Sequence, residues 1–230
     1  MDLRVNILRS SPTFADLSEQ ELADVARLGT ERHLKAGQFI FMEDTVLDYL
    51  YVVVKGRIKI LRHSASGRAF ISTFRGPGDA LGNLALVSGQ PNPFGAQAVL
   101  DTELLAIKSS DFLSYLSARP ELGFRVLRRM FSVHGTRLTV DVKHLAELAT
   151  ENADHRVVHT LLTLSLPFGL TLPFTREEVA QMAGTTTETA VRSVNRLRKM
   201  GAIGLLRRNI IILDKAKLQS LIGELPQEVE

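Results

Sequence analysis

From residue 32 to residue 108 the chain never runs far without a turn signal. Short apolar and β-branched runs, "QFIF", "YLYVVVKGRIKIL", "RAFISTF", "ALGNLALV", "AQAVL" and "ELLAI", are separated by Gly37, Gly56, Gly67, the "GPGD" at 76–79, Gly89 and Gly95. Runs of this length suit strands, and turns at this spacing suit an antiparallel sandwich or barrel. An all-β domain is therefore expected here. Ahead of it, "LSEQELADVARLG" carries the Ser18/Glu21 capping-box pattern and Gly29 at a helix stop, which predicts a short helix over 19–28.

After Asp111 the texture reverses. "DFLSYLSA" reads as a short helix that stops before Pro120, and from there to residue 150 the chain has no further proline and only two glycines. Phe131, His134, Leu138, Asp141, Leu145 and Leu148 fall at alternating steps of three and four, with Leu127 one step earlier. Such a seam asks for a partner helix, and a two-chain coiled coil is the simplest one. Packing on the chain's own β domain is the alternative, and Asp141 on the seam keeps it open. "TENAD" at 150–154 breaks the pattern, with Asn152 or Asp154 as the next N-cap. The expected domains are 1–118, 119–150 and 151–230, in an α+β chain.

Near the C-terminal end, Thr175 and Glu178 form a second capping box, Gly184 ends the helix that follows, and three threonines precede "ETAVRSVNRLRKM". Two short helices around a glycine turn make a helix-turn-helix. At about 100° per residue, Ala190, Val194 and Leu197 share one side of the second helix, while Glu188, Val191, Arg192, Asn195 and Lys199 share the other. An arginine donates twice to guanine, and a glutamate accepts from the cytosine amino group. Arg176, Arg196, Arg198, Lys199, Arg207 and Arg208 surround that face. Residues 174–209 hold seven Arg and Lys against three Glu, a local charge of +4 in a chain whose net charge is +3. The basic signal is thus local and suits phosphate contacts, with Thr186 and Thr187 at the helix start completing the DNA-binding set. The plain alternative makes Glu188 and Arg192 an i,i+4 surface pair.

Other classes fit less well. There are no cysteines, which excludes disulfides, a thiolate nucleophile and thiolate-held zinc or iron-sulfur clusters. No nucleophile-base pair, metal-type histidine spacing or phosphate-cradling loop stands out, so neither catalytic nor metal residues are expected. No apolar run approaches the ~18 residues of a membrane span and the start lacks a secretory layout, so a cytoplasmic location is expected. A ligand-binding adaptor whose C-terminal domain docks protein remains the competing function; steep salt dependence would favour DNA.

With these marks the chain resembles the CRP/FNR family of bacterial transcription regulators. "LYVVVKGRIKI" and "GPGDALGNLALVSG", the long helix, and "TREEVAQMAGTTTETAVRSVNRL" carry the resemblance, the last most specifically through its Glu, Thr, two variable residues and Arg. The resemblance implies a jelly-roll-like β-roll (a double-stranded β-helix), a long dimerisation helix and a C-terminal winged helix-turn-helix. Glu188 and Arg192 become the base readers, Val191 and Thr187 tune sequence choice, and "RRNIIIL" becomes the wing. The implied partners are a pseudo-palindromic duplex, a second copy of the chain, RNA polymerase and a small effector. Effector candidates are Gly82, Asn83, Leu84, Ala85 and Asn92 in the β domain, with His134 and Asp141 on the long helix. Two departures argue against cyclic AMP. Asn83 stands where relatives carry a glutamate for the ribose hydroxyl, and "PNPFG" lacks the Arg-Ser pair for the phosphate. Some relatives hold haem, for which His134 and His33 are the candidate ligands.

Overall fold

The computed structural model describes residues 2–65, 67, 69–206 and 209–222. These form two compact units, residues 1–62 with 72–138, and residues 63–71 with 139 onward.

The first unit opens with α1 (Leu3–Ser10), a 3-10 turn (Pro12–Phe14) and α2 (Glu19–Leu28). The Ser18/Glu21 capping box is closed in both directions, and Leu22, Val25 and Ala26 form the buried stripe of α2. The strands are β1 (Gly29–Leu34), β2 (Phe39–Phe41), β3 (Tyr49–Lys55), β4 (Ile58–His63), β5 (Ala69–Arg75), β6 (Ala80–Leu81), β7 (Gly95–Ala98) and β8 (Thr102–Lys108). They build two antiparallel four-stranded sheets, β1-β8-β3-β6 and β2-β7-β4-β5. Tyr51 and Val53 of β3 face an interior shared with Phe41, Ile58, Ala96 and Leu104. Leu50 and Val52, on the opposite face, pack with Leu8, Phe14, Val25 and Phe112. Because side chains alternate along a strand, a strand covered on both faces must be apolar throughout, which is why "YLYVVV" shows no alternation.

One apolar run is not a strand. "ALGNLALV" gives only the two residues of β6 and then α3 (Asn83–Ser88). Gly82, at φ 87°, turns the chain out of the strand, and Ala85 and Leu86 with Asn83 bury at helical spacing.

After β8 come α4 (Ser109–Ser117) and the 31-residue α5 (Pro120–Thr150). Of the expected seam of α5, Phe131, Leu138, Asp141 and Leu145 stand exposed, whereas Leu127, His134 and Leu148 are half-buried. Leu122, Val126 and Met130 are buried in the first unit's core, and the same i,i+4 progression carries His134 to the inner side, where it is half-buried. Leu127 is also half-buried, on the flank. A line of apolar residues faces solvent, Phe124 (69 % exposed), Phe131 (68 %), Leu138 (64 %) and Leu145 (62 %), with Val142 beside them; Val140 is exposed as well. Leu148 is half-buried. It lies against Gly184, where a Cβ would come within 2.6 Å of its Cδ2. His134 and Leu148 are therefore off the exposed seam, and Gly135 and Val142 lie on it.

In the second unit α6 (Ala153–Phe168) starts at Asn152, whose side chain accepts from the His155 backbone N–H. It is followed by β9 (Thr171–Leu172), α7 (Arg176–Met182), α8 (Thr187–Lys199), β10 (Ile203–Leu206), β11 (Asn209–Ile212) and α9 (Lys215–Ser220). The three strands form an antiparallel sheet in the order β10-β11-β9. Among the described residues no helix is long and apolar enough to cross a membrane.

Candidate nucleic-acid interface

The turn between α7 and α8 is built from local bonds and one long-range clamp. Thr175 Oγ1 accepts from the Glu178 N–H at 3.2 Å while Glu178 Oε2 accepts from the Thr175 N–H at 3.0 Å, fixing the start of α7. Gly184 follows at φ 55°, in the left-handed region. Carbonyls at the end of a helix lack intrahelical donors; here Arg156 of α6 donates to Ala183 O at 2.8 Å and Gly184 O at 3.2 Å. Thr186 then caps α8, accepting from the Thr189 N–H at 3.3 Å.

The cap sets the phase of α8. Ala190, Val194 and Leu197 are fully buried, and so is Ser193, whose polarity hid it from hydrophobic patterning. Thr186, Thr187, Glu188, Arg192, Arg196 and Lys199 are exposed, as is Arg176 on α7; Val191 and Asn195 lie half-buried on the flanks. Hydrogen bonding to its own backbone N–H and to the Thr186 hydroxyl, together with the nearby Arg192 charge, holds the Glu188 carboxyl below the usual carboxylate range. It is an acceptor at neutral pH. Arg192 donates to Thr189 Oγ1 at 3.1 Å, which leaves most of its five N–H donors for other partners. Among the described residues no ion pair within 4.0 Å joins Glu188 to Arg192, although the Arg192 charge is near enough to act on the Glu188 carboxyl.

Arg196 is placed differently from the other cations. Its Nη1 lies 2.7 Å from Oδ2 of Asp154, in the first turn of α6. Asp154, Arg192 and Arg196 share the lining of a cleft of about 470 Å³ with Asn152, His155 and Thr189. Arg207 and Arg208, between β10 and β11, lie outside the described residues. The partners Arg156 and Asp154, far away in sequence, carried no local motif that could have disclosed them.

The effector candidates do not converge as expected. The Asn83 side chain is buried and its Nδ2 donates to Thr13 Oγ1 at 3.3 Å. Ala85 is in the core and Leu84 is exposed. Gly82 is needed for its backbone: a Cβ there would meet Tyr49 O at 3.0 Å. Asn92 is engaged through its backbone, accepting from the Asp44 N–H at 2.7 Å and donating to Thr45 O at 2.9 Å. The fold also supplies a cation that the sequence did not signal, since Arg62 donates to Pro93 O. Asp44 holds that guanidinium with two bonds of 3.2 Å, so its charge is already matched. Asp141 is exposed, in the second unit.

The two histidines named for haem lie in different settings. His33 is exposed on β1, without the apolar surroundings that shield iron from water. His134 Nε2 is sealed from solvent with no hydrogen-bond partner. Burial first, then the charges of Arg137 and Arg75, push its pKa down.

The same architecture occurs in known proteins. Residues 31–119 match the cyclic nucleotide-binding domain family and residues 155–221 the Crp-like helix-turn-helix domain family. The nitrogen fixation regulation protein FixK of Bradyrhizobium diazoefficiens is 30 % identical over 93 % of this chain and 91 % of its own length. A CRP-like cAMP-activated global transcriptional regulator of Mycobacterium tuberculosis is 28 % identical over 79 % of this chain and 83 % of its own. Among solved structures, FixK2 of Bradyrhizobium japonicum superimposes with a TM-score of 0.71 at 24 % identity, covering 86 % of this chain and 99 % of that one.

Proposed function

The chain belongs to the CRP/FNR family of transcription regulators with a helix-turn-helix DNA-binding domain, and from that premise we propose that it is a homodimer whose two α8 helices read a pseudo-palindromic duplex. The observation that carries this is the division of α8: its apolar residues Ala190, Val194 and Leu197 are wholly buried while Glu188 and Arg192 stand exposed. Each helix enters a major groove, with Arg192 donating to guanine and Glu188 accepting from cytosine. Lys199 and Arg176 contact phosphates. The exposed line of Phe124, Phe131, Leu138 and Leu145 supplies the surface for the second copy. In helix-turn-helix dimers the half-sites lie about one helical turn, ~34 Å, apart.

A small molecule other than cyclic AMP governs the DNA affinity. Supporting this, Asn83 is turned into the domain and the nearest guanidinium to the 91–95 loop, that of Arg62, is neutralised by Asp44. The effector shifts the affinity only by as much as it prefers one arrangement of the DNA domains over another. Bound at a promoter, the dimer acts on transcription through RNA polymerase.

Selection of bound sequences from a random duplex pool tests the central claim. A palindromic site with half-site centres one turn apart is expected; retrieval of unrelated sequences would refute it.

A further inference from the structure

One cation on the proposed DNA-binding helix is already engaged inside the protein. Arg196 Nη1 lies 2.7 Å from Asp154 Oδ2, and Ser193 Oγ donates to the other oxygen of the same carboxylate. Ser193 and Arg196 are one turn apart on α8, so a single side chain from α6 grips both. Ser193 is only 2 % exposed, which fixes one end of the grip. Asp154 itself sits in the first turn of α6, where unpaired backbone N–H groups favour a negative charge. The ion pair is open to water, with the two side chains 53 % and 41 % exposed, and it borders the cleft that Arg192 also lines.

This arrangement conflicts with a phosphate contact by Arg196. To reach a phosphate the guanidinium would have to leave Asp154. The carboxylate stays bonded to Ser193, and it would remain as a negative charge without its cation beside a polyanion. As long as the pair persists its net charge is zero and it adds nothing to counterion release.

We propose that Asp154 is a positioning residue of the DNA-binding surface: through Ser193 and Arg196 it fixes the roll of α8 against α6 and withholds Arg196 from the phosphate backbone. The proposal rests on the DNA-binding reading given above. Its effect is on specificity. Phosphate contacts bind any sequence, whereas base contacts discriminate, so removing one cation from the first set raises the weight of Arg192 and Glu188.

The test is the dependence of binding on salt, measured with the full chain on its selected site and on a random duplex. Lys199→Ala serves as a reference for a lost phosphate contact. Lys199→Ala is expected to flatten the wild-type slope of log K against log salt by about 0.9 per subunit. Asp154→Asn keeps an acceptor for Ser193 but releases Arg196; it is expected to steepen the slope by about 0.9 per subunit and to tighten random-duplex binding. Adding Arg196→Ala to Asp154→Asn should restore the wild-type slope. A double variant whose slope departs from wild type in either direction, or an unchanged slope in Asp154→Asn, would overturn the proposal. A wild-type protein that binds no duplex would overturn the DNA-binding reading and the clamp together, so the two failures are distinguishable.

Discussion

The helices α5 and α8 are both amphipathic, yet they turn opposite sides to solvent. In α8 the apolar side is buried under α6 and α7, and the polar side faces out with an acid, several cations and a capped N-terminus. In α5 a line of Phe124, Phe131, Leu138 and Leu145 faces out, while part of the opposite side fills the core of the first unit. A charged outer face suits a charged ligand whose affinity salt will tune. An apolar outer face on a long helix suits another helix, since an exposed stripe of this kind is stabilised mainly by being covered.

Four substitutions break or sharpen that contrast, each at a different strength. Leu138→Glu places a charge in the middle of the α5 line; sedimentation should show monomers, and affinity for a palindromic site should fall by about 10²- to 10⁴-fold as the link between half-sites is lost. A variant that remains dimeric would refute the seam. Next in size, Arg192→Ala should weaken cognate binding by roughly 1–3 kcal/mol and relax discrimination at one base pair per half-site, as read by competition with single-base variants. Gly184→Ala forces a side chain into the left-handed region and toward Leu148; thermal unfolding should show a loss of about 1–3 kcal/mol.

The smallest effect is one of pH. Burial, aided by the positive charge of His144 and His155 when protonated, pushes the His159 pKa down, although Glu147, 3.1 Å away, opposes it. A histidine that resists protonation in the folded state leaves stability at its full value above its unfolded pKa of about 6.5, and stability is lost as pH falls from there through the lower folded value. Stability of the second unit should therefore decline in mild acid, and His159→Gln should flatten the decline in pH-dependent melts. An identical acid slope in the variant would remove His159 as the cause.

How much of this the sequence disclosed follows from the range of each interaction. Helix starts were legible because a capping box is a contact three residues long, as at Ser18 and Thr175. The polar face of α8 was legible because one period of the helix decides it. The β domain was legible from its glycines, but α3 was not, since its apolar run carries no sign of whether Gly82 continues a strand or turns out of it. Phe131, Leu138 and Leu145 of the α5 seam were legible, whereas the half-burial of Leu127, His134 and Leu148 was not, because only the packing of Leu122, Val126 and Met130 tells which apolar line is inner. Asp154 with Arg196, Arg156 with the turn carbonyls, and Asn83 with Thr13 were invisible, each joining residues whose nearness only the tertiary fold creates.

Leu148 against Gly184 has a mechanical meaning. The last turns of α5 carry a methyl group that sits directly on the bend leading into α8, in a space that only a residue without a side chain leaves open. Rotation of α5 about its own axis must either lift that methyl away or drag the bend with it. The close fit thus ties the geometry of the bend to the angular setting of the α5 shaft.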